Sequence, residues 1–103
     1  MVDVAVNMAE MQKKAVEAAE LLKVMAHPER LMVLCQLTKG EVGVGTLQNG
    51  SSLSQSAFSQ HLTVLRKYGL IKARKESQQV FYSLNDPRVI QLIHSLQSTF
   101  CGA

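Results

Sequence analysis

Cysteine is scarce: the 103 residues hold two, Cys35 and Cys101, and no Cys-X-X-Cys motif. This leaves no thiol–disulfide oxidoreductase signature, and a pair so sparse is not the framework of a disulfide-rich secreted fold. Charge is missing from residues 42–65, which carry no Lys, Arg, Asp or Glu but are crowded with Ser, Gln, Gly and Asn. A stretch so polar is not a membrane span. There is no low-complexity tract and no internal repeat. Met1 to Ala9 contains Asp3 and Asn7 and no basic cluster, so it does not read as a secretory leader. The expectation is a cytoplasmic protein with no membrane association. No spacing sets a base beside a nucleophile, which argues against an enzyme, and no motif calls for a cofactor.

The bulk composition is that of one globular domain spanning residues 1–103, with 47% hydrophobic and 18% charged residues. A chain of this length buries only a modest core, so pairing with a second copy is expected. The net charge of +3 is unevenly spread. Residues 42–75 hold Arg66, Lys67, Lys72, Arg74 and Lys75 with no acid, while the flanking segments are each net −1. A basic segment of this kind is either a solvated face or a nucleic-acid footprint.

The segment Leu53 to Leu70 favours the second reading. Ala57, Phe58, Leu62 and Leu65 recur at spacings of three and four, the apolar stripe of an amphipathic helix. Gln55, Ser56, Ser59, Gln60 and His61 stand between them. A surface helix usually carries Lys and Glu there. These residues instead match the groups that read base edges, Gln with adenine and Ser with several bases.

Helical spacing also predicts a helix over residues 8–26, through Met8, Met11, Ala15, Ala18, Ala19, Leu22 and Met25. His27-Pro28 ends it, and Pro28 suits the first turn of a second helix reaching Thr38, with Leu31, Leu34, Cys35 and Leu37 inward. Glu41 to Gly43 fits a minimal strand, and Val44 to Asn49 a short third helix. Ser54 caps the polar helix, which Gly69 stops. Leu70 to Arg74 and Val80 to Leu84 alternate as hairpin strands around a polar tip, Lys75 to Gln79. Asp86-Pro87 opens a last helix over residues 87–101, striped with Val89, Ile90, Ile93, Leu96 and Phe100. The fold class is therefore mostly α with a small β-hairpin: a helix–turn–helix at 44–68, a wing at 70–84, and disorder expected at 1–7. The first and last helices are expected to meet their symmetry mates in a homodimer. Met8, Met11, Ala15 and Leu22 would face Ile90, Ile93, Leu96 and Phe100 across the two-fold. Such a dimer suits an inverted-repeat operator in double-stranded DNA, with half-sites about 34–36 Å apart. In this arrangement Ser54, Gln55, Ser56, Ser59, Gln60 and His61 lie at the groove. Arg66, Lys67, Arg74, Lys75, Gln78 and Gln79 supply backbone and wing contacts. His61 also suits helix packing, and Tyr68 and Phe81 are expected to pack the polar helix on the hairpin.

Leu21-Leu22-Lys23-Val24-Met25-Ala26-His27-Pro28-Glu29-Arg30-Leu31, the Ser59-Gln60-His61-Leu62 core and Leu65-Arg66-Lys67-Tyr68-Gly69-Leu70-Ile71 carry a family resemblance, as does the hairpin Arg74 to Leu84. The chain resembles the ArsR/SmtB family of bacterial winged-helix repressors, and within it the branch of HlyU- and BigR-type regulators. The resemblance implies a homodimer, a recognition helix at Ser54 to Tyr68 and a DNA-contacting wing at Lys75 to Gln79. It also implies that Cys35 and Cys101 form a dithiol sensor of reactive sulfur species or oxidants. By itself Cys35, on the apolar stripe with Leu31 and Leu34, reads first as a small buried hydrophobe, and only the resemblance reverses that. Gly50-Ser51-Ser52 departs from the family, which usually places a core leucine there. Metal sensors of the family use Cys-X-Cys at the third helix, where Gly43 and Gly45 stand here. Asp86 and His94 on the last helix are about 12 Å apart, too far to share one ion. Two alternatives remain beside the cysteine switch: an anti-silencer acting by occupancy alone and, less favoured, a metal-responsive repressor.

Overall fold

A computed structural model describes residues 7–102. The expected disorder at 1–7 falls, for 1–6, outside the described residues. Asn7 is instead a helix cap, its side chain accepting from the Ala9 N–H at 2.8 Å. The elements are α1 (Met8–Met25), α2 (Pro28–Gln36), β1 (Val42–Gly43), α3 (Val44–Asn49), α4 (Gln55–Lys67), β2 (Ile71–Glu76), β3 (Gln79–Leu84) and α5 (Pro87–Cys101). The fold is mostly helical with a small antiparallel sheet ordered β1-β3-β2.

The helix starts follow from their caps. His27 caps α2 by accepting from the Glu29 N–H, and Pro28 occupies the first turn, where its missing donor costs nothing. Ser54 accepts from the Ala57 N–H at 3.2 Å, and Asp86 accepts from the Arg88 N–H at 2.9 Å. Gly69 ends the run after α4 in the left-handed region, at φ 78°, which a residue without Cβ adopts cheaply.

β2 and β3 run longer than the sequence pattern suggests. The register pairs Glu76 with Gln79 and Ile71 with Leu84, leaving Ser77-Gln78 as a two-residue turn. Ser77 takes φ 58°, supplying the positive φ such turns require without a glycine. The hairpin base is closed by the Asn85 N–H donating to the Leu70 carbonyl at 3.0 Å.

The core gathers Met25, Val33, Leu34, Leu37, Leu47, Phe58, Leu62, Leu65, Leu70, Ile71, Tyr82, Val89 and Ile93. Leu47 on α3 is fully buried, so α3 supplies a core leucine despite the Gly50-Ser51-Ser52 departure. The following turn is stitched by the Leu53 N–H donating to Ser51 Oγ at 3.1 Å and by Gln48 Nε2 donating to the Leu53 carbonyl at 3.3 Å.

One expectation is corrected. Ile93 is 0% exposed and belongs to the protomer core, with Val89 beside it on α5, so it cannot meet a symmetry mate. Periodicity identifies an apolar stripe but not the neighbour that covers it. The apolar surface left open on the two long helices is Met8, Met11, Val16, Leu22 and Phe100. Ile93→Ala is therefore expected to lower unfolding free energy by about 2–5 kcal/mol, measured by urea denaturation. A loss below about 0.5 kcal/mol, the level of ordinary surface changes, would contradict its core placement.

Candidate nucleic-acid interface

α4 divides its faces cleanly. Phe58, Leu62 and Leu65 are buried, anchoring the helix on α2 and the hairpin base. Gln55, Ser56, Ser59, Gln60, Thr63, Arg66 and Lys67 are exposed on the other side. Among the described residues, the side chains of Gln55, Ser56, Ser59 and Gln60 make no protein hydrogen bond, so their donors and acceptors stay open. Arg66 and Lys67 stand in the last turn, where their charge also complements the helix dipole.

Thr63 was not picked out by the sequence pattern. It continues the Ser56, Ser59, Gln60 face by one turn, and its hydroxyl donates to the Ser59 carbonyl at 2.9 Å. The signal was its spacing of three and four from Gln60 and Ser59.

His61 is placed differently from its polar neighbours. It is half-buried and turned toward α2, where its Nδ1 accepts from Arg30 Nε at 3.2 Å. Its ring lies 4.3 Å from that of His27. Burial, then the His27 and Arg30 charges, push its pKa below the usual histidine range, against a weaker pull from Glu29. This geometry suits the helix-packing role. Tyr68 also departs from expectation. It is 59% exposed and sits under the Lys67 ammonium at 5.6 Å rather than packing on the hairpin.

The wing projects beyond the core with Lys72, Lys75, Gln78 and Gln79 exposed. Arg74 is already engaged. Its guanidinium pairs with Glu41 at 2.8 Å and with Glu76, and lies 4.9 Å from the centre of the Phe81 ring. The hydrogen bonds it donates to Glu41 and then to Glu76 hold its pKa above the usual arginine value, and the bond accepted from Arg74 holds that of Glu41 below the carboxylate range. Arg74 thus braces the wing against the loop before β1, with its charge offset by two acids. Lys75 at the tip is free of such pairing among the described residues.

Cys35 is half-buried on α2, and Cys101 is exposed at the end of α5. Burial raises the Cys35 pKa first; the Gln97 side chain of α5 opposes by hydrogen bonding, and the nearby Cys101 raises it again. Among the described residues, no group of three or more His, Cys, Asp and Glu is arranged to hold a metal ion. No described helix is long and apolar enough to cross a membrane.

Residues 27–73, which span α2 through the start of the wing, match the helix–turn–helix of the bacterial regulatory protein arsR family. Over 97 residues the chain is 46% identical to the transcriptional activator HlyU of Vibrio cholerae, covering 94% of this chain and 90% of that protein. The chain belongs to the ArsR family of transcriptional regulators. It is also 41% identical to the biofilm growth-associated repressor of Xylella fastidiosa, over 90% of this chain and 82% of the relative. The solved structure of reduced HlyU from Vibrio cholerae superposes with a TM-score of 0.85 at 47% identity, covering 89% of this chain and 97% of that one. Members of this family are DNA-binding regulators and not enzymes. An activator and a repressor stand at similar distance, so the sign of regulation is not set by this fold.

The interface makes two separable predictions. Gln60→Ala is expected to cost about 1–3 kcal/mol on the specific site and to relax base preference there. Lys75→Ala is expected to weaken specific and non-specific duplexes alike and to lower the salt slope by roughly one unit. Fluorescence anisotropy across a salt series checks both.

Proposed function

We propose that a homodimer of this chain binds an inverted-repeat operator, and that modification of Cys35 and Cys101 by reactive sulfur species or an oxidant lowers its affinity. The observation that carries this reading is the placement of Cys35 on α2 and Cys101 at the end of α5, two helices that pack on each other. α2 also touches α4. A bond between the cysteines would tether a helix of the dimer surface to the helix supporting the reading head.

The shape of the protomer supports pairing. Its radius of gyration is 15.7 Å and its extents are 53 × 30 × 23 Å, against about 13 Å radius for a compact chain of this length. The excess comes from α1, whose residues 8–20 are exposed throughout. Leu22 on α1 and Leu92 on α5 line a shared groove, and Phe100 is 80% exposed. A second copy placed on these faces would cover them and set two α4 helices toward successive major grooves.

Peroxide would take two electrons and two protons from the thiols and leave as two waters, giving a disulfide. A direct disulfide needs Cα atoms about 4.4–6.8 Å apart. A bridge containing extra sulfur spans more, which would let the pair distinguish persulfides from peroxide. Exposed Cys101 is the accessible nucleophile. A coupling of about 1–3 kcal/mol is enough to change affinity roughly 5- to 150-fold.

A second reading, occupancy without sensing, is favoured by one observation. Burial holds the Cys35 thiol above its ordinary pKa and so lowers its thiolate fraction. The cysteine variants separate the two readings. Cys35→Ser and Cys101→Ser are expected to bind DNA as the parent does and to stay bound on persulfide treatment. Release of either variant by persulfide would exclude the pair as the switch, and a parent protein that never dissociates would leave occupancy alone. Leu22→Glu, at an exposed position, is expected to give a folded monomer with no affinity for an inverted repeat. Sedimentation of the parent as a monomer at micromolar concentration would contradict the assembly.

A further inference from the structure

His27 and His61 face each other where the α1–α2 junction meets α4, with ring centroids 4.3 Å apart and planes tilted by 44°. Each ring spends its Nδ1 lone pair on a structural hydrogen bond. His27 Nδ1 accepts from the Glu29 N–H at 3.2 Å, and His61 Nδ1 accepts from Arg30 Nε at 3.2 Å. The same guanidinium donates through Nη1 to the Val24 carbonyl at 3.0 Å, in the last turn of α1. Glu29 accepts from the Ser51 hydroxyl at 2.8 Å, and Ser51 Oγ accepts in turn from the Leu53 N–H at 3.1 Å. Two sets of hydrogen bonds, one joining the end of α1 to α4 through Arg30 and His61 and the other joining the start of α2 to the helix–turn–helix turn through Glu29 and Ser51, therefore meet at the contact between the two imidazoles.

An imidazole nitrogen accepts a hydrogen bond only while it lacks a proton. Protonation at His27 Nδ1 deletes the cap of α2 and sets a cation at a helix N-terminus, against the dipole. Protonation at His61 Nδ1 deletes the acceptor of Arg30 and sets a second cation beside it. We propose that the His27–His61 pair is a positioning device for the recognition helix that works only while both rings are neutral, so that mild acid lowers specific DNA affinity by unseating α4.

The charged groups around the pair favour that outcome. Arg30 from α2 faces His61 directly, and Lys23 from α1 and Lys67 from α4 line the groove beside it. Glu20 of α1 borders the same groove, and Glu29 is the acid that pulls His61 toward protonation. Glu29 is already engaged with Ser51. Because the folded chain holds His61 below its ordinary value of 6.5, the unfolded chain takes up the proton first. The stability contribution is complete above that value and is lost as pH falls through the folded one. A His61 that touched phosphate would give the opposite sign, since added positive charge strengthens DNA binding.

The inference rests on α4 as the DNA-reading helix, and the test separates the two. The probes are a duplex selected from a random pool on the parent protein at about pH 8 and a scrambled duplex of the same length. Asn keeps an acceptor oxygen and caps helices well, so the variant is the double substitution His27→Asn and His61→Asn. The parent is expected to lose affinity for the selected duplex by about tenfold between about pH 7 and pH 5.5, with no loss on the scrambled one. The variant is expected to match the parent at about pH 8 and to lose the acid response. A parent affinity that is flat or rises in acid overturns the proposal, as does a variant that keeps the full response. Failure of the parent to bind any duplex at about pH 8 overturns the reading of α4 itself, and the proposal with it. Should the variant not fold, NMR titration of the parent decides: amides of α4 that move with the His61 ring support the pair, and amides that stay fixed while it titrates overturn it.

Discussion

The DNA-reading role proposed for α4 depends on one amphipathic division along the helix. The helix has thirteen residues and no charged group before Arg66. Its anchor is the burial of Phe58, Leu62 and Leu65, each worth about 1.5–3 kcal/mol against exposure. Because those three hold the helix, its other side is free of structural duty. Gln55, Ser56, Ser59, Gln60 and Thr63 can then keep polar side chains that pack nothing. The same anchor positions the wing, since the Leu70 N–H donates to the Leu65 carbonyl at 2.9 Å and Gly69 turns the chain directly into β2.

Electrostatics refines this picture. The basic segment is one stretch of sequence but two kinds of side chain in space. Arg66, Lys67, Lys72 and Lys75 are exposed and form no ion pair among the described residues, which suits them to phosphates. Arg74 braces the wing through Glu41 and Glu76, as Arg30, outside that segment, holds the back of α4 through His61. Counting cations along the chain therefore overstates the charge available to DNA. Surface pairs such as Arg74–Glu41 contribute little to stability by themselves. Their effect is to fix where the hairpin points.

The helices and their starts were legible in the sequence because periodicity and capping are local. Ser54, Asp86 and Pro28 sit where the pattern places them, and the short α3 matches its predicted limits. The hairpin length was not legible. Lys75, Glu76 and Gln79 are exposed on both faces, so no alternation marks them as strand, and Ser77 takes a positive φ that its residue type does not advertise. Ile93, His61 and Tyr68 share a different cause. Their placement depends on which neighbouring element covers each face, and that is a property of tertiary packing. The packing of α5, which carries Cys101, on α2, which carries Cys35, has the same origin, as the two cysteines lie 66 residues apart in the chain.

The central question is which atoms of α4 meet DNA. Backbone amide shifts of the labelled protein, recorded with and without a duplex selected on it, measure that. The largest changes are predicted at Gln55, Ser56, Ser59, Gln60 and Thr63 and at the tip around Lys75 and Gln78, with His61 following only through its neighbours. Changes centred instead on the exposed faces of α1 and α5, with α4 undisturbed, would contradict the account.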